Sequence, residues 1–161
     1  MTTQKFIDEN KPKTLKKGIL LLSNVYTPTG KSRMASLLMH GKKNIQINGR
    51  DRDLLHNRFI YSDCEKDTEV IYIDDLLNFV KELPSFFGIV TDGVVVDKKC
   101  KEPFTIYPQL IISINCSLND LYHNLAFYKS SLDRRFDIFE LSACNTDYIQ
   151  LTTTGMSLYN A

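Results

Sequence analysis

At 161 residues the chain has the length of one domain, and 43% hydrophobic with 11% aromatic content supplies a core, which excludes a disordered polyelectrolyte. Its 20 Lys and Arg against 19 Asp and Glu leave a formal charge of +1, so a nucleic-acid-binding surface, if present, has to be local. Cys64, Cys100, Cys116 and Cys144 form no C-x-x-C pair, and with three histidines outside any zinc spacing they point to reduced thiols in a cytosolic setting.

Residues 1–17 are polar and lysine-rich, with Pro12 excluding one continuous helix, and are read as a lead-in. Met1 to Asn10 holds no apolar signal core, and no apolar stretch approaches the roughly 20 residues a membrane span needs. The expectation is an intracellular protein of the cytoplasm with no membrane partner. Ile19 to Ser23 is a continuous apolar run, the pattern of a strand buried on both faces. A turn-rich stretch with Asn24, Thr27, Pro28 and Gly30 follows, then helical spacing from Lys31 to His40. Ile45 to Ile47 reads as a short strand and Asp51 to His56 as a short helix. Val70 to Ile73 is the next buried strand, ending in Asp74 and Asp75, and Leu76 to Phe87 reads as a helix that Pro84 disturbs near its end.

Val94 to Val96 and Phe104 to Ile106 flank a basic turn, which predicts a hairpin. Leu110 to Ile114 is a third apolar strand, and Phe136 to Leu141 a fourth with more alternation. Buried strands interleaved with helices predict an α/β domain with a parallel sheet over 18–142, followed by a threonine-rich tail at 143–161.

Five features carry chemistry. The segment S-N-V-Y-T-P-T-G-K-S-R-M-A (Ser23 to Ala35) joins a buried strand to a helix, the context of a phosphate-binding loop. Unpaired backbone N–H groups and the positive helix end suit a triphosphate there. Thr27, Pro28, Thr29, Gly30, Lys31, Ser32 and Arg33 form the expected ATP-binding stretch, with Lys31 reaching the β- and γ-phosphates and the Ser32 hydroxyl on Mg²⁺. The pattern G-x-x-x-x-G-K-[ST] would put glycine at position 25, where this chain has Val25. The bland alternative is a strand-turn-helix with a solvated lysine.

V-I-Y-I-D-D (Val70 to Asp75) brings two carboxylates to a strand end, where open α/β sheets bind ligands. Asp74 is the expected Mg²⁺ ligand and Asp75 the group that polarises the attacking water. The competing role for Asp75 is the N-cap of a helix starting at Leu76. Lys98, Lys99 and Lys101 share the hairpin turn, a positive point suited to phosphate backbones, or simply a solvated loop. Asn115 ends the strand Q-L-I-I-S-I-N, where an amide can sense a γ-phosphate. Arg134 and Arg135, in S-L-D-R-R-F, offer a guanidinium to a neighbouring subunit's nucleotide, or a surface pair with Asp133 or Asp137.

The order of these elements resembles the superfamily-3 helicases of viruses, phages and mobile elements. In particular it looks like the ATPase domain of phage and mobile-element primase-helicases, on the segments D-T-E-V-I-Y-I-D-D, F-F-G-I-V-T-D-G-V-V-V-D-K-K-C-K-E-P-F-T-I and S-L-D-R-R-F. The resemblance covers roughly 18–142, with Val25 the main departure. It implies a P-loop NTPase fold of the ASCE/AAA+-like kind, a three-layer sandwich with a mostly parallel sheet and an inserted β-hairpin. By it, Lys31 and Ser32 match motif A, Asp74 and Asp75 motif B, Asn115 the sensor, Lys98, Lys99 and Lys101 the DNA-contacting hairpin, and Arg135 ahead of Arg134 the finger. It further implies ATP and Mg²⁺, single-stranded DNA, and a homo-hexamer or a partner replication protein such as a primase in a bacterial host. The alternative is a non-catalytic P-loop relative that docks on a partner helicase, a primase or DNA.

Overall fold

The fold was taken from a computed structural model that describes residues 15–23, 30–52, 54–56 and 59–141. Five parallel strands form the central sheet: β1 (Gly18–Leu22), β2 (Asn44–Asn48), β3 (Val70–Asp74), β6 (Gln109–Ile114) and β7 (Phe136–Glu140), in the order β2-β3-β6-β1-β7. A separate antiparallel hairpin pairs β4 (Val94–Val96) with β5 (Phe104–Ile106). The expected parallel sheet and inserted hairpin are both present.

The order follows from the direction in which each connection travels. Helix α1 (Lys31–Met39) carries the chain from β1 past β6 and β3 to the edge strand β2; every later connection travels back the other way. Because parallel crossovers are right-handed, opposite directions place their helices on opposite faces. Ile19, Leu21, Val70, Tyr72 and Ile111 accordingly pack under Met34, Ala35 and Leu38 of α1. Leu20, Ile71, Ile73, Leu110, Ile112 and Ile138 point the other way, into the core shared with the remaining helices. The result is three layers, helix on sheet on helix.

Leu76 to Phe87 is not one helix. The Leu76 N–H donates to Ser113 O at 2.9 Å and the Leu77 N–H to Gly49 O at 3.2 Å, so both residues remain tied to neighbouring strand ends. The helical path starts only at α2 (Phe79–Glu82), tightens through a 3-10 turn (Leu83–Phe86) that accommodates Pro84, and continues as α3 (Phe87–Asp92). Gly93, at φ 79°, ends it. Around 51–56 the described residues hold only a 3-10 turn, Leu54–His56. Residues 117–135 form α4 (Leu118–Asn124), capped by Ser117 Oγ accepting from the Asp120 N–H at 3.0 Å, and α5 (Lys129–Arg135). Strand β7 does not alternate: Phe136, Asp137, Ile138 and Phe139 are all buried. Asp137 is held inside by the Lys16 N–H, which donates to its Oδ2 at 2.7 Å.

Candidate active site

An open parallel sheet opens a crevice at its carboxyl edge where neighbouring strands send their helices to opposite faces. Here that point lies between β1, which is followed by α1, and β6, which is followed by α4 and α5. Lys31 opens α1 and Asn115 directly follows β6, and Lys31 Nζ donates to Asn115 Oδ1 at 2.6 Å. Asn115 Nδ2 in turn donates to Asp75 Oδ1, at 3.1 Å, beyond the end of β3. Three sequence-predicted residues from the segments that follow three adjacent strands therefore form one hydrogen-bonded row.

Gly30 precedes α1 at φ 90°, a left-handed conformation that a side chain would oppose, and its carbonyl accepts the first helical bond, from the Met34 N–H at 2.8 Å. No acidic residue occupies the first turn of the nine-residue α1, so its N-terminal amides face the crevice without a carboxylate from that turn. Ser32 and Arg33 are exposed on that first turn. Lys31 has its pKa lowered: burial outweighs the attraction of Asp75, Asp74 and Cys116. An ammonium held this way gains by meeting further negative charge. Val25, Thr27, Pro28 and Thr29 lie outside the described residues.

Asp74 and Asp75 differ in backbone and in partners. Asp74 is the last residue of β3, and its Oδ1 accepts from Tyr72 Oη at 2.9 Å and from Ser113 Oγ at 3.2 Å. Asp75 turns into the left-handed region at φ 57°, and its N–H donates to Ser113 Oγ at 2.8 Å. It does not cap a helix. The N-cap position of α2 belongs to Asn78, and Asp75 instead carries Arg50 Nη1 at 3.2 Å from its Oδ2. Gly49 makes this approach possible: a Cβ there would sit 2.7 Å from Asp74 O and 2.8 Å from the Asp75 carbonyl carbon.

The other predicted residues lie elsewhere. Arg134 and Arg135 end α5 immediately before β7, whose first residue, Phe136, pairs with Gly18 at the start of β1. They therefore sit at the amino edge of the sheet, a strand length from Lys31, roughly 13 Å at about 3.3 Å per residue. Arg134 is exposed, whereas Arg135 lies 5.7 Å from the Phe87 ring centroid and its Nη1 reaches Ser131 O at 3.4 Å. The hairpin is also at the amino edge. Lys98 is only 16% exposed and pairs with Glu65 Oε1 at 2.7 Å, Lys99 lies 5.6 Å from the Phe59 ring, and Lys101 is exposed.

Tyr72, Ser113 and Arg50 were not singled out from the sequence. Tyr72 and Ser113 carried a usable signal, each being a polar group inside an apolar strand two residues before a predicted site residue and so on the same face. Arg50 carried none, since it comes from a loop. Tyr72 is 3% exposed, and its hydroxyl is pushed up to about 12, chiefly by burial, with the Asp74 carboxylate acting in the same direction. The Cys116 thiol, beside the same crevice, is pushed up to about 12, mainly by burial.

No protein family and no curated protein matches the chain by sequence. Among solved structures the chain is similar to NtrX from Brucella abortus, at TM-score 0.53 and 10% identity over 89% of this chain. It is also similar to the apo C-terminal region of NrS-1, at TM-score 0.47 and 13% identity over 81% of this chain. The chain spans 37% of the first of those chains and 29% of the second. At these identities the likeness to NtrX concerns the α/β fold alone. No helix among the described residues is long and apolar enough to cross a membrane.

Proposed function

We propose that this chain is a P-loop ATPase domain of the superfamily-3 helicase type, hydrolysing ATP with Mg²⁺ and coupling turnover to single-stranded DNA. The observation that carries the reading is the row Lys31–Asn115–Asp75 at the switch point of the sheet. Counting parallel strands only, the order is 2-3-4-1-5, which differs from the dinucleotide-binding 3-2-1-4-5-6 and the flavodoxin-like 2-1-3-4-5. One strand, β6, stands between those bearing the candidate motifs A and B.

The donor set fits a magnesium nucleotide. Among the described residues no cluster of three or more His, Cys, Asp or Glu could hold a metal alone. Ser32 and Asp74 are a sparse oxygen pair of the kind that binds Mg²⁺ together with substrate phosphates and waters. Bound there, Mg²⁺ would neutralise charge on the β- and γ-phosphates. Lys31 binds phosphate oxygen with its ammonium, Asn115 and Asp75 orient the attacking water, and Asp75 accepts its proton. In this reading Arg135 or Arg134 reaches a neighbouring copy's site in a homo-hexamer or a partner replication protein, and Lys99 and Lys101 with Lys98 contact DNA. The setting that goes with it is the cytoplasm of a bacterial host.

The second reading is a non-catalytic relative docking on a partner helicase, a primase or DNA. Val25, where the motif takes glycine, favours it. Measuring ATP hydrolysis across a protein concentration series, with and without single-stranded DNA and beside Lys31→Ala, decides between them. Turnover that DNA stimulates and the substitution abolishes is the expected result. A folded chain without turnover selects the docking role.

A further inference from the structure

The two candidate Mg²⁺ ligands come from elements far apart in sequence, Ser32 on α1 and Asp74 at the end of β3, yet one buried hydroxyl touches both. Tyr72 Oη donates to Asp74 Oδ1 at 2.9 Å and accepts from the Ser32 hydroxyl. Ser113 Oγ, 3.3 Å from Tyr72 Oη and 3.2 Å from Asp74 Oδ1, closes the cluster, and its own oxygen accepts the Asp75 N–H at 2.8 Å. Every proton has an acceptor: Ser32 to Tyr72, Tyr72 to Asp74, Ser113 to Asp74, and the Asp75 amide to Ser113. Both inward donors fall on the same carboxylate oxygen, Oδ1.

We infer that Tyr72, supported by Ser113, is a positioning residue that sets Ser32 and Asp74 for one divalent cation. The inference rests on reading the site as a magnesium-nucleotide site. A serine that binds a cation keeps its proton and gives the metal a lone pair, so the proton needs an acceptor on the protein side. Tyr72 Oη is that acceptor. A carboxylate whose Oδ1 is fixed by two hydroxyls can turn only its Oδ2 outward, which makes Asp74 a one-oxygen ligand with a set direction. Phenylalanine at position 72 keeps the ring, which packs with Met34 and Leu38 of α1, and deletes the hydroxyl shared by the two ligands. Because Tyr72 touches neither phosphate nor water in this scheme, its loss acts on the metal-dependent part of binding alone.

Titration calorimetry with a non-hydrolysable ATP analogue, in Mg²⁺ and in EDTA, tests this on wild type, Tyr72→Phe, Ser32→Ala and the double variant, with Lys31→Ala alongside. Wild type is expected to gain affinity from Mg²⁺. Tyr72→Phe is expected to keep the EDTA affinity and lose about tenfold of the Mg²⁺ gain, and to cost little more once Ser32 is already alanine. Ser113→Ala, acting on the same Oδ1, is expected to lose part of the gain and serves if Tyr72→Phe fails to fold. A Mg²⁺ gain equal to wild type in Tyr72→Phe, or full additivity with Ser32→Ala, overturns the positioning role and leaves the nucleotide site standing. Equal analogue affinity in wild type and Lys31→Ala removes the nucleotide site, and the inference with it.

Discussion

Arg50 Nη1 lies 3.2 Å from Asp75 Oδ2, bringing the loop after β2 onto a carboxylate that Asn115 also holds. The guanidinium is 60% exposed, and water screens a pair of this kind to about 0–1 kcal/mol. The glycine beside it matters more. At Gly49 an added methyl would meet Asp74 O and Leu76 N, each at 2.7 Å, and both atoms are backbone that cannot turn aside. Arg50→Ala is therefore expected to change unfolding free energy by less than about 1 kcal/mol, and Gly49→Ala to cost on the order of 2 kcal/mol or more. Urea denaturation of the two variants checks the contrast. Equal costs would mean that the β3 end yields to the methyl.

Lys31 bears on stability in the direction opposite to its proposed role. Its folded pKa lies below the ordinary 10.5 because burial dominates. In that window the unfolded chain binds more protons than the folded one, so Lys31 makes stability rise as pH climbs through the folded pKa towards 10.5. Lys31→Met removes the buried charge. It is expected to flatten that rise and to leave the ligand-free protein no less stable near neutral pH, while binding of an ATP analogue is lost. A urea series between pH 7 and 10.5 gives the slope, and an unchanged slope would count against the buried ammonium.

The parts of the site that could be read from the sequence are those where an apolar run ends in a polar residue. Asp74 after Val70 to Ile73 and Asn115 after Leu110 to Ile114 stand at strand ends because parallel strands are buried on both faces and expose polar groups at their edges, and Lys31 opens the helix that follows the run Ile19 to Ser23. The helices after Cys116 were not legible. Leu121, Leu125 and Leu132 bury one side of a stretch whose other positions are polar and whose helices have only seven residues each, too short for a period to stand out. The helix start at Phe79 rather than Leu76 depends on hydrogen bonds to Ser113 and Gly49, which are distant in sequence. Arg50 is hidden for the same reason.

The thiols are expected to separate by environment. Burial pushes Cys64 up to about 11 and Cys116 to about 12, whereas Cys100 stands exposed in the hairpin turn. Since the thiolate is the nucleophile, iodoacetamide at pH 8 should label Cys100 more than about tenfold faster than Cys64 or Cys116 in the folded protein. Peptide-resolved mass spectrometry reads this directly. The same shifts carry a stability sign. Unfolded thiols ionise near 9 and the folded ones later, so the unfolded state loses protons first and their contribution to stability falls as pH rises from 9 towards 12.

The hairpin lysines are not equivalent. Lys98 is folded back onto Glu65 at 2.7 Å, and the same cluster pairs Lys43 with Asp67 at 2.6 Å, so part of the positive charge at this edge is neutralised within the chain. A DNA phosphate engaging Lys98 has to displace Glu65. Removing that competitor with Glu65→Gln is expected to tighten single-stranded DNA about two- to threefold at low salt, the scale of a screened surface pair. Lys98→Ala with Lys99→Ala is expected to weaken binding, lower the salt slope by about 1.4 for two lost contacts, and leave ATP-analogue affinity unchanged. Fluorescence anisotropy of a labelled oligonucleotide across a salt series measures both variants. Tighter binding in Glu65→Gln with a flat response to the lysine substitutions would move the DNA path away from Lys98 and Lys99 and towards Lys43, Lys66 and Lys101, which line the adjoining cavity of about 620 Å³.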